Sequence, residues 1–217
     1  MTSNPDSVLD PEDAIQVIQK YRERIARYGV TFESLNSGSI EKQTIRHKIH
    51  ATALIGSCPL ILDVGCGLGD FYSYLKGNSR SCQYTGYDIV PEYITECRKR
   101  HLEAVFKVHN IFSDGIEGIW DTIILSQVLN NRYKKSNNVE VMKRTISLAF
   151  VHTRISVSID MMSAHVDFQD PNVFYYSPEE IFHFAKTIAR RVILRHDYRP
   201  FEFCIQLFHE NMGDYVP

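Results

Sequence analysis

Three glycines at alternate positions, in Ile61-Leu62-Asp63-Val64-Gly65-Cys66-Gly67-Leu68-Gly69-Asp70, form the segment of this chain best suited to hold a ligand. A short apolar run leads into them and a helical pattern follows, so a strand ends in a tight turn that opens a helix. Glycine permits such a turn and lets a ligand approach the backbone with no Cβ between them. Free amides at the start of the helix then favour an anionic group. A dinucleotide loop, G-x-G-x-x-G, would need glycine where this chain has Asp70, and that carboxylate would oppose a pyrophosphate. A P-loop would need Gly-Lys-Ser/Thr, which does not occur here. A second carboxylate, Asp88, closes the run Gln83-Tyr84-Thr85-Gly86-Tyr87-Asp88, 25 positions after Asp63. At the end of a second strand it can accept hydrogen bonds from both hydroxyls of a ribose, with Ile89 against the base. Capping the helix that opens at Pro91 is the other use for it.

Asp63-Val64-Gly65-Cys66-Gly67-Leu68-Gly69 resembles the first motif of the class I methyltransferases that use S-adenosylmethionine (SAM), and Tyr87-Asp88-Ile89 resembles their second. By motif order the resemblance covers residues 58–160. It implies an α/β fold, Rossmann-like, with a seven-stranded, mostly parallel sheet of order 3-2-1-4-5-7-6. The last strand is antiparallel, helices cover both faces, and an N-terminal helical lid folds over the site. It implies SAM as cofactor, with S-adenosylhomocysteine as product, bound across the carboxyl ends of the strands. The cofactor-binding set it implies is Asp63, Gly65, Cys66, Gly67, Gly69, Asp88 and Ile89, with Asn110, Ile111, Ser126 and Gln127 after the third and fourth strands. Asn110 stands where the family usually has an acid facing the adenine amino group, and its amide oxygen can accept that bond. Ordinary turn chemistry is the alternative for Asn110 and Ser126. Tyr21-Arg22-Glu23-Arg24 with Tyr28-Gly29, and His196-Asp197-Tyr198, look like a subgroup of small bacterial methyltransferases, which says nothing of the acceptor.

Methyl transfer from a sulfonium needs the nucleophile held close and in line more than it needs a particular catalytic group. A base matters when the acceptor carries a proton. His165, after the fifth strand, is the first candidate, and His196, beside Asp197, the second; adjacent strand residues point to opposite faces, so no dyad is implied. The segment Ser126-Gln127-Val128-Leu129-Asn130-Asn131-Arg132-Tyr133 is not the Asp/Asn-Pro-Pro-Tyr of enzymes that methylate amino nitrogens of bases or glutamine. Asn130 and Tyr133 are expected to line an acceptor pocket, as are Tyr175 and Tyr176 in the aromatic loop after the fifth strand and Tyr21, Tyr28, Gln43 and Arg46 in the N-terminal helices. Packing in the core is the competing use for the tyrosines. The carboxylates Asp160, Asp167 and Asp170 fit no metal-ligand spacing, so no metal is expected.

The elements that must position these residues are legible in outline. The first ten residues are polar and expected to fray. Asp10 and Pro11 mark a helix start that runs to about Gly29, and a loop from Ser34 to Ser39 leads to a helix over Glu41 to Leu54. Strands are expected at 60–64, 84–87, 104–108, 122–125 and from Thr153, with helices at 70–75, 91–101 and 138–150. Ser177-Pro178 opens a further helix, and 191–194 and 201–208 form a hairpin that adds an antiparallel edge strand. The organisation reads as an N-terminal cap, 1–56, over a core, 57–217, in one compact unit.

The whole chain has 217 residues and a formal charge of -2, from 24 Lys and Arg against 26 Asp and Glu, which offers a polyanion no general field. A small-molecule acceptor is therefore expected ahead of nucleic acid. RNA or protein methylation and a non-catalytic SAM-fold binder are the alternatives. The five cysteines never form a CxxC pair and read as reduced thiols of a cytoplasmic protein. Neither a leader pattern at Met1 to Asp6 nor an apolar run of membrane-spanning length is seen. Monomer and homodimer remain equally open.

Overall fold

In the computed structural model, which describes residues 8–210, the apolar run Leu60–Val64 is strand β1 at the centre of the sheet. Parallel neighbours flank it: β2 (Gln83–Asp88) on one side and β4 (Trp120–Ser126) on the other. β3 (Val105–Val108) lies beyond β2, and β5 (Thr153–Met162) lies beyond β4. Strands buried on both faces explain why Ile61, Leu62, Ile123, Ile124, Val157 and Ile159 are all inaccessible to solvent.

The hairpin corrects one expectation. β6 (Arg191–Arg195) and β7 (Glu202–Phe208) pair antiparallel, but β7 inserts between β5 and β6. The full order, β3-β2-β1-β4-β5-β7-β6, is the one the family resemblance implies; it is the reading of the hairpin as an added antiparallel edge that fails, because β6 forms the edge and the antiparallel strand is interior. Every residue of β7 is buried, which an edge position would not allow.

Helices α3 (Asp70–Gly77), α4 (Pro91–Arg100), a single turn α5 (Ile111–Asp114), α6 (Asn138–Val151) and α7 (Pro178–Ile188) join the strands. Ahead of β1 lie α1 (Pro11–Tyr28), a short 3-10 turn (Phe32–Leu35) and α2 (Ile40–Ala51). Asp10 caps α1 by accepting from the Glu12 N–H, and Gly29 ends it at φ +73°. The 3-10 turn and α5 are too short for a periodic pattern to announce them.

Two anchors hold α1 over the carboxyl ends of the strands. Asp13 is buried and accepts from the backbone N–H groups of Lys134, Lys135 and Ser136. Tyr21 meets Tyr93 edge to face, with ring centroids 6.1 Å apart. Fraying does not extend to the start of the described residues: the Val8 N–H donates to the Phe112 carbonyl at 2.8 Å, and Leu9 is buried. The reading of Met1 to Asp6 lies outside the described residues. Among the described residues no helix is long and apolar enough to cross a membrane.

Candidate cofactor and acceptor cleft

β1 ends at Val64, and the chain turns through Gly65 at φ +71° and Gly67 at φ +54°. A side chain would be strained at either angle and would also lack room. A Cβ on Gly65 would stand 2.6 Å from Val128 Cγ2, and one on Gly67 would stand 2.8 Å from Leu35 Cδ2. The Gly65 and Cys66 N–H groups donate to the Tyr87 carbonyl at 2.7 and 3.0 Å, fastening the turn to the end of β2.

Asp88 is held at the end of β2 by two backbone amides. Its Oδ2 accepts from the Gly67 N–H at 2.9 Å, bracing the glycine turn, and its Oδ1 accepts from the Val90 N–H at 2.9 Å, at the start of α4. Burial pushes its carboxyl up to about 6, against the lowering effect of the Val90 and Gly67 amides. Asp63 is buried deeper, accepts a hydrogen bond from the Tyr84 hydroxyl, and is pushed up to about 7, mainly by desolvation.

These groups form one side of a cleft whose empty space, open solvent included, is about 1120 Å³. His109, Ile111 and Phe112 line it after β3, and Ser126, Gln127 and Val128 after β4. Tyr21 reaches it from α1, Tyr133 from the loop after β4, and Gln43, His47 and His50 from α2. Among the described residues its ionisable lining includes Asp63, Asp70 and Asp88 but neither lysine nor arginine. SAM carries a sulfonium and an ammonium cation, so this charge pattern suits it. The two glycines that leave room for its backbone contacts point the same way.

The structure brings most of the expected cofactor residues together: Asp63, Gly65, Cys66, Gly67, Asp88, Ile89, Ile111, Ser126 and Gln127 all line the cleft. Two do not. Gly69 opens α3 and stands against His101 and Phe106, and Asn110 caps α5, its Oδ1 accepting from the Phe112 N–H at 3.1 Å. Turn chemistry therefore takes the amide oxygen that sequence reasoning assigned to adenine.

The expected acceptor residues divide more sharply. Tyr21 and Tyr133 line the cleft. Tyr28 instead lies exposed between the guanidiniums of Arg24 and Arg27. Arg46 is buried against Asp160 and Glu202, and Asn130 bridges Gln127 and Met162 behind the cleft. Tyr176 is a core residue whose hydroxyl donates to the Leu129 carbonyl at 2.9 Å, because a large ring gains most where its one polar atom also finds a partner. The Tyr175 hydroxyl accepts from the Asp170 N–H in its own loop. His165 is exposed and pairs with Glu179 at 2.7 Å; its ring lies 6.0 Å from that of His196. Neither histidine lines the cleft, and Asp197 pairs with Arg195 rather than with His196.

Sequence reasoning missed His47, His50, Phe71, His109 and Asn131 in the lining. One signal was available: Gln43, His47 and His50 fall at i, i+4 and i+7, a polar stripe on one face of a helix. His47 packs on Phe71 and Tyr74, and burial, with His50 and Arg46 nearby, pushes its imidazole down to about 3, so it stands neutral.

Residues 61–149 match a family model described as a methyltransferase domain. "Putative methyltransferase Rv1506c" of Mycobacterium tuberculosis (strain ATCC 25618 / H37Rv) is 26% identical over 150 residues, 67% of this chain and 90% of that protein. Among solved structures, the DhpI–SAH complex is similar with a TM-score of 0.68 at 14% identity, covering 91% of this chain and 97% of that one. Magnesium protoporphyrin IX methyltransferase (ChlM) from Synechocystis PCC 6803 with bound SAM gives 0.63 at 13% identity, covering 93% and 98%. At such identities the structures speak for the fold, and the match over 61–149 speaks for the family that shares it. The glycine turn, Asp88 and the sheet order agree with that match: residues 61–149 carry a methyltransferase domain, set in the Rossmann-like fold of enzymes that take their methyl group from SAM.

Proposed function

We propose that this chain methylates a small molecule at an oxygen or nitrogen nucleophile by in-line displacement. The observation that carries the small-molecule reading is the lining of the cleft. Tyrosines, histidines, apolar side chains and carboxylates face it, and no lysine or arginine does among the described residues. A nucleic-acid site would need cations for phosphates. The N-terminal segment to residue 56 acts in this reading as a cap over the core of residues 57–217, narrowing the cleft from the side of α1 and α2.

When bound, SAM supplies a methyl carbon already activated by its sulfonium leaving group. The residues of the chain have to bind, orient and exclude water. The Gly65–Gly67 turn, its N–H groups donated inward to Tyr87 and Asp88, offers the methionine portion a backbone surface with no Cβ in the way; the carboxylate of Asp88 is the group for the ribose, and Ile89 and Ile111 are apolar walls for the adenine. Asp63, neutral or ionised near pH 7, gains its charge most readily beside a cation. Ser126 and Gln127 stand at the methionine end, and Tyr21, Gln43, His47, Asn131 and Tyr133 are the polar and aromatic groups left for the acceptor. His165 and His196 have no part in this arrangement, and His165→Ala is expected to leave turnover intact.

The test is to incubate the protein with SAM carrying a labelled methyl group and three acceptor pools: small amines and alcohols, total RNA, and denatured protein. Label in the small-molecule fraction is the expected result. Label confined to RNA or protein would overturn the acceptor class while leaving the family intact.

A further inference from the structure

Asp160, near the end of β5, is buried behind the cleft and does not line it, yet residues from both cleft walls converge on it. It lies beside Ser126 in the parallel register of β4 and β5. Its Oδ1 accepts from the Gln127 N–H at 2.6 Å, and its Oδ2 accepts from Ser126 Oγ at 3.3 Å. From α2, His50 Nε2 stands 3.5 Å and Arg46 Nε 3.8 Å from the same Oδ2. Arg46 also donates from Nη2 to the Ser37 carbonyl at 2.7 Å and faces Glu202 through Nη1 at 3.3 Å. Ser37, His50, Ser126 and Gln127 are all lining residues.

Gln127 needs such a hold. Its φ is +60°, a left-handed conformation that a residue with a Cβ enters only under strain. Its carboxamide is also fixed in direction. The Met162 N–H can only donate, so Asn130 must turn Oδ1 toward it, which turns Asn130 Nδ2 to Gln127 Oε1 at 2.7 Å. Gln127 Nε2 is then left buried and without a hydrogen bond, as are His50 Nε2 and Arg46 Nε, which reach Asp160 only at ion-pair distance. Three buried nitrogens with no hydrogen bond, on residues that flank one buried carboxylate, are a departure from normal satisfaction. Two of them miss Asp160 by only a few tenths of an ångström. A small inward shift of α2 would complete the bonds.

We propose that Asp160 is a positioning residue that ties the two walls of the cleft together, holding the Ser126–Gln127 turn on one side and α2, through His50 and Arg46, on the other. Filling the cleft draws α2 inward and tightens the joint. The effect on ligand affinity rests on the SAM reading; the joint itself does not. Burial raises the Asp160 carboxyl, but His50, Arg46 and the Gln127 amide outweigh it and hold the group low, as a working anion needs.

The whole chain, labelled with nitrogen-15, would be compared as wild type, Asp160→Asn and His50→Gln, free and titrated with S-adenosylhomocysteine. Asp160→Asn should move the Gln127 amide proton upfield, since a charge-assisted bond becomes a neutral one. It should also speed exchange of α2 amides selectively and weaken the ligand about tenfold, the loss expected of one such bond. His50→Gln should loosen α2 while leaving the Gln127 amide in place. A folded Asp160→Asn protein with an unmoved Gln127 amide and unchanged affinity would overturn the proposal. So would exchange that accelerates equally throughout the chain. Should Asp160→Asn not fold, His50→Gln decides, and unchanged α2 exchange there overturns the joint. No ligand binding by the wild type, with the amide and exchange effects present, would sink the SAM reading and leave the joint standing.

Discussion

One wall of the cleft, built by β1, the glycine turn and β2, is held by backbone amides over an apolar base, whereas the wall built by α2 is held by buried charge. Behind the first wall Ile61, Phe71, Tyr84, Ile94 and Phe106 pack as one cluster, and the turn itself is fastened to the Tyr87 carbonyl and Asp88. Behind the second, Arg46 and His50 face Asp160 and Glu202, and Ser158 and Gln206 supply further polar contacts. A backbone-held wall is rigid and indifferent to most side chains. A charge-held wall depends on each partner, because removing one strands another without water.

Arg46→Ala breaks that contrast most severely. It leaves Asp160 and Glu202 buried with a lost partner and should cost about 3–5 kcal/mol of unfolding free energy by urea titration. A loss under about 1 kcal/mol, the value of an exposed pair, would show that charge does not hold α2. Next comes Asp88→Ala, which removes the brace of the glycine turn and, in the proposed reading, the acceptor of the ribose hydroxyls together. SAM affinity by calorimetry should fall about 100-fold, near 3 kcal/mol, with NAD as a control that does not bind. An unchanged affinity would separate this carboxylate from the cofactor.

Gly86→Ala tests the packing beneath the first wall. The added Cβ would lie 2.7 Å from Cys66 Sγ and 2.8 Å from Phe106 Cδ1, an overpacking worth about 1–3 kcal/mol in stability. Full stability in the variant would mean that the base is looser than its contacts suggest. The smallest effect is of pH on affinity. With Asp88 pushed up to about 6 and Asp63 to about 7, both lose charge as the pH falls, and SAM should bind about tenfold more weakly at pH 5 than at pH 8. For the ligand-free protein the sign reverses. Both carboxyls titrate above their unfolded value of 3.8, so their contribution to stability is full below that pH and is lost as the pH rises through 6 and 7. Asp63→Asn should remove much of that slope in thermal melts run with and without SAM.

Much of the fold was legible because its signals are local. β1 falls on the expected residues 60–64, and α1 and α7 begin at the caps and prolines that announce them. The family resemblance carried the correct strand order, whereas the hairpin read by itself misled, because a short connection shows that two strands pair but not which of them meets the rest of the sheet. Tyr176 misled because an aromatic in a turn-rich loop has the same composition whether it faces a ligand or, as here, the core beneath Leu129.

The sequence by itself determined the cofactor wall: a strand, a turn that needs glycine, a helix start and an acid at the next strand end are all read from neighbouring residues, and their geometry follows from backbone sterics. Only the tertiary structure decided the other wall. Arg46 meets Glu202 across 156 residues, and His50 meets Ser158 across 108. Whether a polar stripe on a helix meets water or a buried carboxylate depends on which strand packs beneath it, and that is set by the whole sheet rather than by the helix that carries the stripe.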